Sequence, residues 1–303
     1  MPTAPADSEY GTTLVPTVTP FSNGSVDAEA VADLSEFVLS NGADGLIPCG
    51  TTGEFASLSL DEYETVVSAS VDAADGAPVL PGAGHSSVAG TLERIDIAAD
   101  CGADAVLVVL PYFHGENGAG GNERFIRAVL AETELPLILY NIPSCVGQSI
   151  DADLVEAVAD HPDLAGMKDT SGDLTHLLEI IRRTDEDFHL FQGWDSQLVP
   201  AVSMGATGGI NAVSNYFPGM MADAIDAAAA NDRDRARDLQ LNHIAPLFNT
   251  SLEFGFAPTT KTALVERGVI DDDAVRPPLV ELDDDQKAAV RDVLDATRGV
   301  AAE

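Results

Sequence analysis

The sequence predicts an α/β protein, a (β/α)8 TIM barrel followed by a C-terminal helical domain, and three observations carry the prediction. Short apolar runs alternate with helix-period stretches from residue 11 to about residue 228, at intervals of roughly 25 to 30 residues. Eight such runs read as strands, the number a closed barrel needs. After about residue 229 the strand signal stops and only helical spacing remains.

The expected strands are 13–18, 45–49, 78–82, 105–110, 135–140, 164–168, 189–192 and 208–211. Between them lie expected helices over 27–40, 60–74, 86–100, 122–131, 151–160, 173–183 and 195–204, several opening at an Asp or Ser that suits an N-cap. A doubly wound open sheet is the competing fold, but no G-x-G-x-x-G follows the first strand. The tail is expected to be helical over 233–248, 260–267 and 283–297, with Arg276-Pro277-Pro278 turning the chain before the last helix. The division is therefore a barrel over 1–229, which holds the active site, and a helical domain over 230–303.

A chain of 303 residues, 45% of them hydrophobic, has enough apolar material for one large core. No cationic start followed by an apolar run marks a secretory signal, and no apolar stretch reaches membrane-spanning length, so a soluble cytoplasmic protein is expected. Cys49, Cys101 and Cys145 are odd in number and include no C-x-x-C, which argues for free thiols. The six histidines form no i, i+4 pair, so no metal is expected. Acids outnumber bases 50 to 15, for a formal net charge of −35. Without a basic patch a nucleic-acid ligand is disfavoured. Acidity dispersed over amphipathic segments repels itself in dilute salt, whereas at about 1 M the Debye length falls to roughly 3 Å and screens it. A halophilic surface is the expectation, with a dedicated basic partner as the alternative.

Lys168, Lys261 and Lys287 are the only lysines, and Lys168 alone lies in the barrel region. It ends the sixth expected strand, at the mouth where barrel enzymes place their chemistry. A lysine desolvated there favours its neutral form and can attack a ketone; snorkelling to the rim or pairing with Asp169 is the alternative. Gly50-Thr51-Thr52-Gly53-Glu54 follows the second strand, and its hydroxyls and glycine-exposed N–H groups suit a carboxylate, although hydroxyls there also cap helices. Tyr140 closes the fifth strand, as a proton shuttle or as an ordinary half-buried tyrosine.

These segments, with Tyr140-Asn141-Ile142-Pro143, Gly166-Met167-Lys168-Asp169-Thr170-Ser171-Gly172-Asp173 and Gly208-Gly209-Ile210 in that order, resemble the dihydrodipicolinate synthase / N-acetylneuraminate lyase family. The resemblance runs from Val18-Thr19-Pro20-Phe21 to the tail. It implies a homotetramer of barrels that binds a small 2-oxo acid, with neither metal nor organic cofactor. By position it implies Lys168 as the Schiff-base residue, Tyr140 as proton relay, Thr51 and Thr52 at the pyruvyl carboxylate, and the Ile210 carbonyl facing the site. Gly193 and Asp195 match the segment that binds substrate hydroxyls in sugar-acid members, or equally form a turn and helix cap.

Departures from the family pattern steer the expected substrate. Dihydrodipicolinate synthases carry an arginine where this chain has Cys145, and a tyrosine where it has Phe113 beside Tyr112. A thiol is no bidentate cation and a phenyl ring passes no proton, so lysine biosynthesis is disfavoured. Ser196 and Ala212 depart from the sialic acid lyases. The remainder is similar to archaeal-type 2-keto-3-deoxygluconate aldolases, which share Ser214-Asn215-Tyr216-Phe217-Pro218 and Arg276-Pro277-Pro278; Glu116 stands where those acting on the 6-phosphate use an arginine. The expected activity is class I aldol cleavage of a 2-keto-3-deoxy sugar acid, 2-keto-3-deoxygluconate or its 6-phosphate, to pyruvate and an aldehyde. The alternatives are 4-hydroxy-tetrahydrodipicolinate synthase, a dehydratase working through the same imine, and a non-catalytic keto-acid binder.

Overall fold

The computed structural model describes residues 8–115 and 118–297. Glu116 and the last six residues of the expected helical domain lie outside that range. A parallel sheet takes the strands β1 (Thr13–Val15), β4 (Gly45–Leu46), β5 (Val106–Val109), β6 (Leu137–Asn141), β7 (Leu164–Asp169), β8 (His189–Gln192) and β9 (Gly208–Ile210), in the order β4-β1-β9-β8-β7-β6-β5. A separate antiparallel hairpin, β2 (Phe21–Ser22) with β3 (Ser25–Val26), follows the first strand in sequence.

The segment 78–82 closes the gap between β4 and β5, bridging Leu46 through Val79 and Leu107 through Gly82. Leu80 N–H donates to the Leu46 carbonyl at 2.8 Å, and Leu107 N–H donates to the Pro81 carbonyl at 2.9 Å. The segment was expected as a full strand. It forms only bridges, because Pro81 has no N–H to offer toward β5. Eight parallel positions thus complete the cylinder, with every strand's C-terminal end at one mouth.

Helix starts follow local chemistry. Asp27, Asp151 and Asp173 cap the helices Ala28–Ser40, Ala152–Val158 and Leu174–Arg183 with side-chain oxygens, and Ser59 with Glu62 forms a reciprocal capping box at Leu60–Ala73. The expected helix over 195–204 is shorter, a single tight turn at Asp195–Gln197 and then Leu198–Ser203.

Residues 233–248 were expected as one helix. The chain instead runs through Arg233–Asp238, a wider π-turn at Leu239–Ile244, and Ala245–Phe254. The bulge brings Gln240 to the barrel, where it accepts from Val199 N–H at 2.9 Å and donates to the Asp195 carbonyl at 3.1 Å. A continuous apolar cluster joins Val15, Leu46 and Val79 of the barrel to Leu247, Leu264 and Leu294 of the tail, so packing runs unbroken across residue 230. Among the described residues no helix is long and apolar enough to cross a membrane.

Candidate active site

Lys168 lies near the end of β7, 5% exposed, in register with Tyr140 on β6. Its amine stands 4.2 Å from the Tyr140 ring centroid. The Tyr140 hydroxyl is 3.3 Å from Thr51 Oγ1. One end of the cylinder therefore brings together an amine, a phenol and a threonine hydroxyl from three separate stretches of chain. Thr52 is buried beside Thr51 in the same turn.

The pairing of Lys168 with Asp169, open at the level of sequence, is not what the structure contains. Asp169 accepts from Asn141 Nδ2 at 2.7 Å and Ser171 Oγ at 2.9 Å, and its Oδ2 is 3.4 Å from His176 Nδ1. That contact pushes the His176 imidazole above its ordinary value, against its own burial. Among the described residues Lys261 and Lys287 pair with Glu54 and Asp273, while Lys168 is in no such pair.

A Cβ at Gly193 would collide with Thr170 Oγ1 and come within 2.8 Å of Lys168 Cε. The bare backbone there gives the lysine stem its room. Asp195 lies within the protein: its carboxylate accepts from Asn211 Nδ2 at 3.1 Å and Val213 N–H at 3.0 Å. Burial pushes its carboxyl up, opposed by those hydrogen bonds and by the charge of Lys168. Its carboxylate is thus engaged by the loop after β9. Ile210 is buried at the end of β9, at the same mouth.

A narrow recess touches Thr51, Gly82, Val109, Tyr140 and Lys168. It opens into a cavity of about 250 Å³ that shares Thr51, Phe55 and Val109 with it and is walled by Tyr112, Ile142, Cys145 and Leu279. Phe55 and Leu279 were not singled out from sequence, and Arg276-Pro277-Pro278 read only as a turn and a shared element; the wall comes from the far end of the chain, where no local pattern points to a pocket. Burial pushes the Cys49 thiol, under the recess, far above its ordinary range. Among the described residues no three His, Cys, Asp or Glu side chains gather in metal-binding geometry.

The chain is similar, over most of its length, to proteins named 4-hydroxy-tetrahydrodipicolinate synthase. One from Methanoculleus marisnigri is 36% identical, covering 91% of this chain and 96% of that protein. One from Haloarcula marismortui is 37% identical, covering 91% and 90%. Among solved structures, dihydrodipicolinate synthase from Aquifex aeolicus superposes with a TM-score of 0.90 at 31% identity, covering 94% of this chain and 97% of that one. A chloride-inhibited dihydrodipicolinate synthase from Acinetobacter baumannii, complexed with pyruvate, gives 0.90 at 30%, covering 95% and 98%.

These relatives overturn the expected cleavage of 2-keto-3-deoxygluconate or its 6-phosphate and favour the alternative, 4-hydroxy-tetrahydrodipicolinate synthase, which the sequence had placed second. That expectation leaned on Cys145 and Phe113. Cys145 sits exposed at the cavity rim and Phe113 is 83% exposed, and neither touches the recess around Lys168. Such rim positions can change while the residues that line the recess stay the same. The family model matches residues 9–297, nearly the whole chain, and the chain accordingly belongs to the dihydrodipicolinate synthetase family.

Proposed function

We propose that this protein is a pyruvate-dependent carbon–carbon lyase acting in the synthetic direction, a 4-hydroxy-tetrahydrodipicolinate synthase. The observation that carries the reading is the union of whole-length similarity to proteins of that name with a buried, carboxylate-free lysine against a tyrosine and a threonine. The Lys168 amine adds to the ketone of pyruvate, and water leaves to give an imine. Tyr140 moves the protons of that exchange, with Thr51 holding its hydroxyl in place. Thr51 and Thr52 hold the pyruvyl carboxylate. Loss of a methyl proton then gives an enamine, whose carbon attacks the aldehyde of the second substrate.

The product's ring identifies that second substrate. Removing the three carbons of pyruvate from a hydroxy-tetrahydrodipicolinate skeleton leaves a four-carbon amino acid with a terminal aldehyde, aspartate semialdehyde. Its amine attacks the imine carbon and expels Lys168, closing the ring and freeing the enzyme. The open cavity beside the recess is the place for this acceptor. One solved structure of 28% identity is described as the first monomeric variant among dihydrodipicolinate synthases, which makes assembly the ordinary condition of such proteins, and a homotetramer is the proposal for this chain.

The test combines trapping with turnover. Borohydride added with pyruvate is expected to fix a pyruvyl adduct on the peptide carrying Lys168, and aspartate semialdehyde with pyruvate is expected to give the cyclic product. An adduct elsewhere sinks the mechanism. Turnover with uncharged aldehydes but none with aspartate semialdehyde sinks the substrate assignment.

A further inference from the structure

Glu54 closes the Gly50–Glu54 turn, one glycine after the two threonines, and its side chain is 0% exposed. It takes no part in the imine chemistry, yet a carboxylate removed from water demands partners. Oε1 lies 2.6 Å from the amine of Lys261, itself 0% exposed in the helix Phe256–Glu266. Oε2 accepts from the Arg276 backbone N–H at 2.9 Å. One carboxylate thus grips a helix and an extended strap of the C-terminal region, the strap 222 positions away in sequence.

The strap is pinned along its length. Lys261 also donates to the Ala274 carbonyl at 2.7 Å. The Arg276 guanidinium reaches both oxygens of Glu62, at 2.8 and 2.5 Å, and the carbonyls of Ser57 and Gly24, each at 2.9 Å. It holds the Glu62 carboxyl down to about 2. Two and three residues beyond Arg276, Pro278 and Leu279 form a wall of the cavity next to the Lys168 recess. Glu54 and Thr51 both line that cavity as well.

We propose that Glu54 is a positioning residue that locks the two substrate pockets to each other: paired with Lys261 and the Arg276 N–H, its carboxylate holds the strap 274–279 over the acceptor cavity and keeps Thr51 and Thr52 at the pyruvate recess. The proposal rests on the reading that pyruvate forms its imine on Lys168. Because one anchor serves both pockets, releasing it weakens both substrates together. Releasing only the strap's outer tie weakens the acceptor alone.

Two variants separate these outcomes. Glu54→Gln with Lys261→Met removes both charges at once and strands neither. Glu62→Gln loosens Arg276 from outside and leaves Glu54 intact. In the double variant, the pyruvate concentration giving half-maximal borohydride trapping on Lys168 is expected to rise about ten-fold, and the acceptor KM by a similar factor, with kcat at saturation falling less. In Glu62→Gln the acceptor KM is expected to rise about three-fold with pyruvate trapping unmoved. A folded double variant with both constants unchanged overturns the proposal. So does Glu62→Gln with an unchanged acceptor KM, and that result decides the matter alone if the double variant does not fold. Absence of any Lys168 adduct in the unmodified protein strikes instead at the function proposed above.

Discussion

Lys168 at the end of β7 and Lys261 in the helix Phe256–Glu266 are buried to nearly the same degree, 5% and 0% exposed. Each amine lies over an aromatic face, 4.2 Å from Tyr140 in one case and 4.1 Å from Phe21 in the other. Their surroundings part at two atoms. Lys261 has the Glu54 carboxylate at 2.6 Å and a ring without a hydroxyl; Lys168 has no carboxylate partner and a ring whose hydroxyl faces Thr51. Burial and aromatic stacking are thus common to a lysine paired with a carboxylate and to the one proposed to hold pyruvate. The counter-charge and the phenol tell them apart. Burial pushes the Lys261 amine below its ordinary value, with Glu54 working in the opposite sense.

The largest effect that can break this comparison is Lys168→Ala. Turnover is expected to fall by at least about 10⁴-fold and the borohydride adduct to vanish, with thermal stability nearly unchanged. Relocation of the adduct to Lys261 would mean that burial alone makes a lysine reactive here. Lys261→Met, by contrast, leaves a buried carboxylate unpaired and is expected to cost about 3 to 5 kcal/mol of stability, with pyruvate still trapped on Lys168. A midpoint within a degree of the parent's in urea or thermal unfolding would contradict the structural role.

Salt sharpens the contrast at lower amplitude. With a formal charge of −35, the unfolding temperature is expected to rise by about 5 °C between about 0.1 and 1 M KCl as surface repulsion is screened. The gap between the parent and Lys261→Met is expected to stay constant, because the Glu54 pair is closed to ions. A flat salt profile would remove the halophilic reading.

The smallest effect lies on the Lys168 side. His176 is raised by Asp169, so its contribution, on the order of 1 kcal/mol, is present below the ordinary histidine range and is lost as pH rises through the raised value. The stability difference between the parent and His176→Gln is expected to shrink over that rise; a difference independent of pH would show that folding leaves the histidine's affinity for protons unchanged.

Much of the barrel was legible in the sequence because its signals are local. The run Leu164-Ala165-Gly166-Met167-Lys168 becomes β7 with its lysine at the mouth, and His189–Gln192 is a strand over the residues expected. The hairpin of β2 and β3 was legible too, since Asn23-Gly24 with φ of 53° and 81° is the two-residue turn such pairs favour, but it was not singled out. That Lys168, Tyr140 and Thr51 lie together was legible because each ends or follows a strand, and a barrel gathers strand ends. Glu54 stood in the same motif without a role, since its partners at Lys261 and Arg276 arrive from the far end of the chain. Asp195 reads as a substrate ligand or a cap from its position; its bonds to Asn211 and Val213 depend on β8 and β9 lying side by side.

The strap that walls the cavity is also among the last parts of this protein to be made. A ribosome delivers Lys168, Tyr140 and the threonine turn well before Lys261 and Arg276 emerge, so a growing chain holds those groups while one wall of its cavity is still unwritten. Truncations that spare every barrel strand but end before residue 276 would carry Lys168 beside an open cavity, which would tie the proposed activity to completion of synthesis.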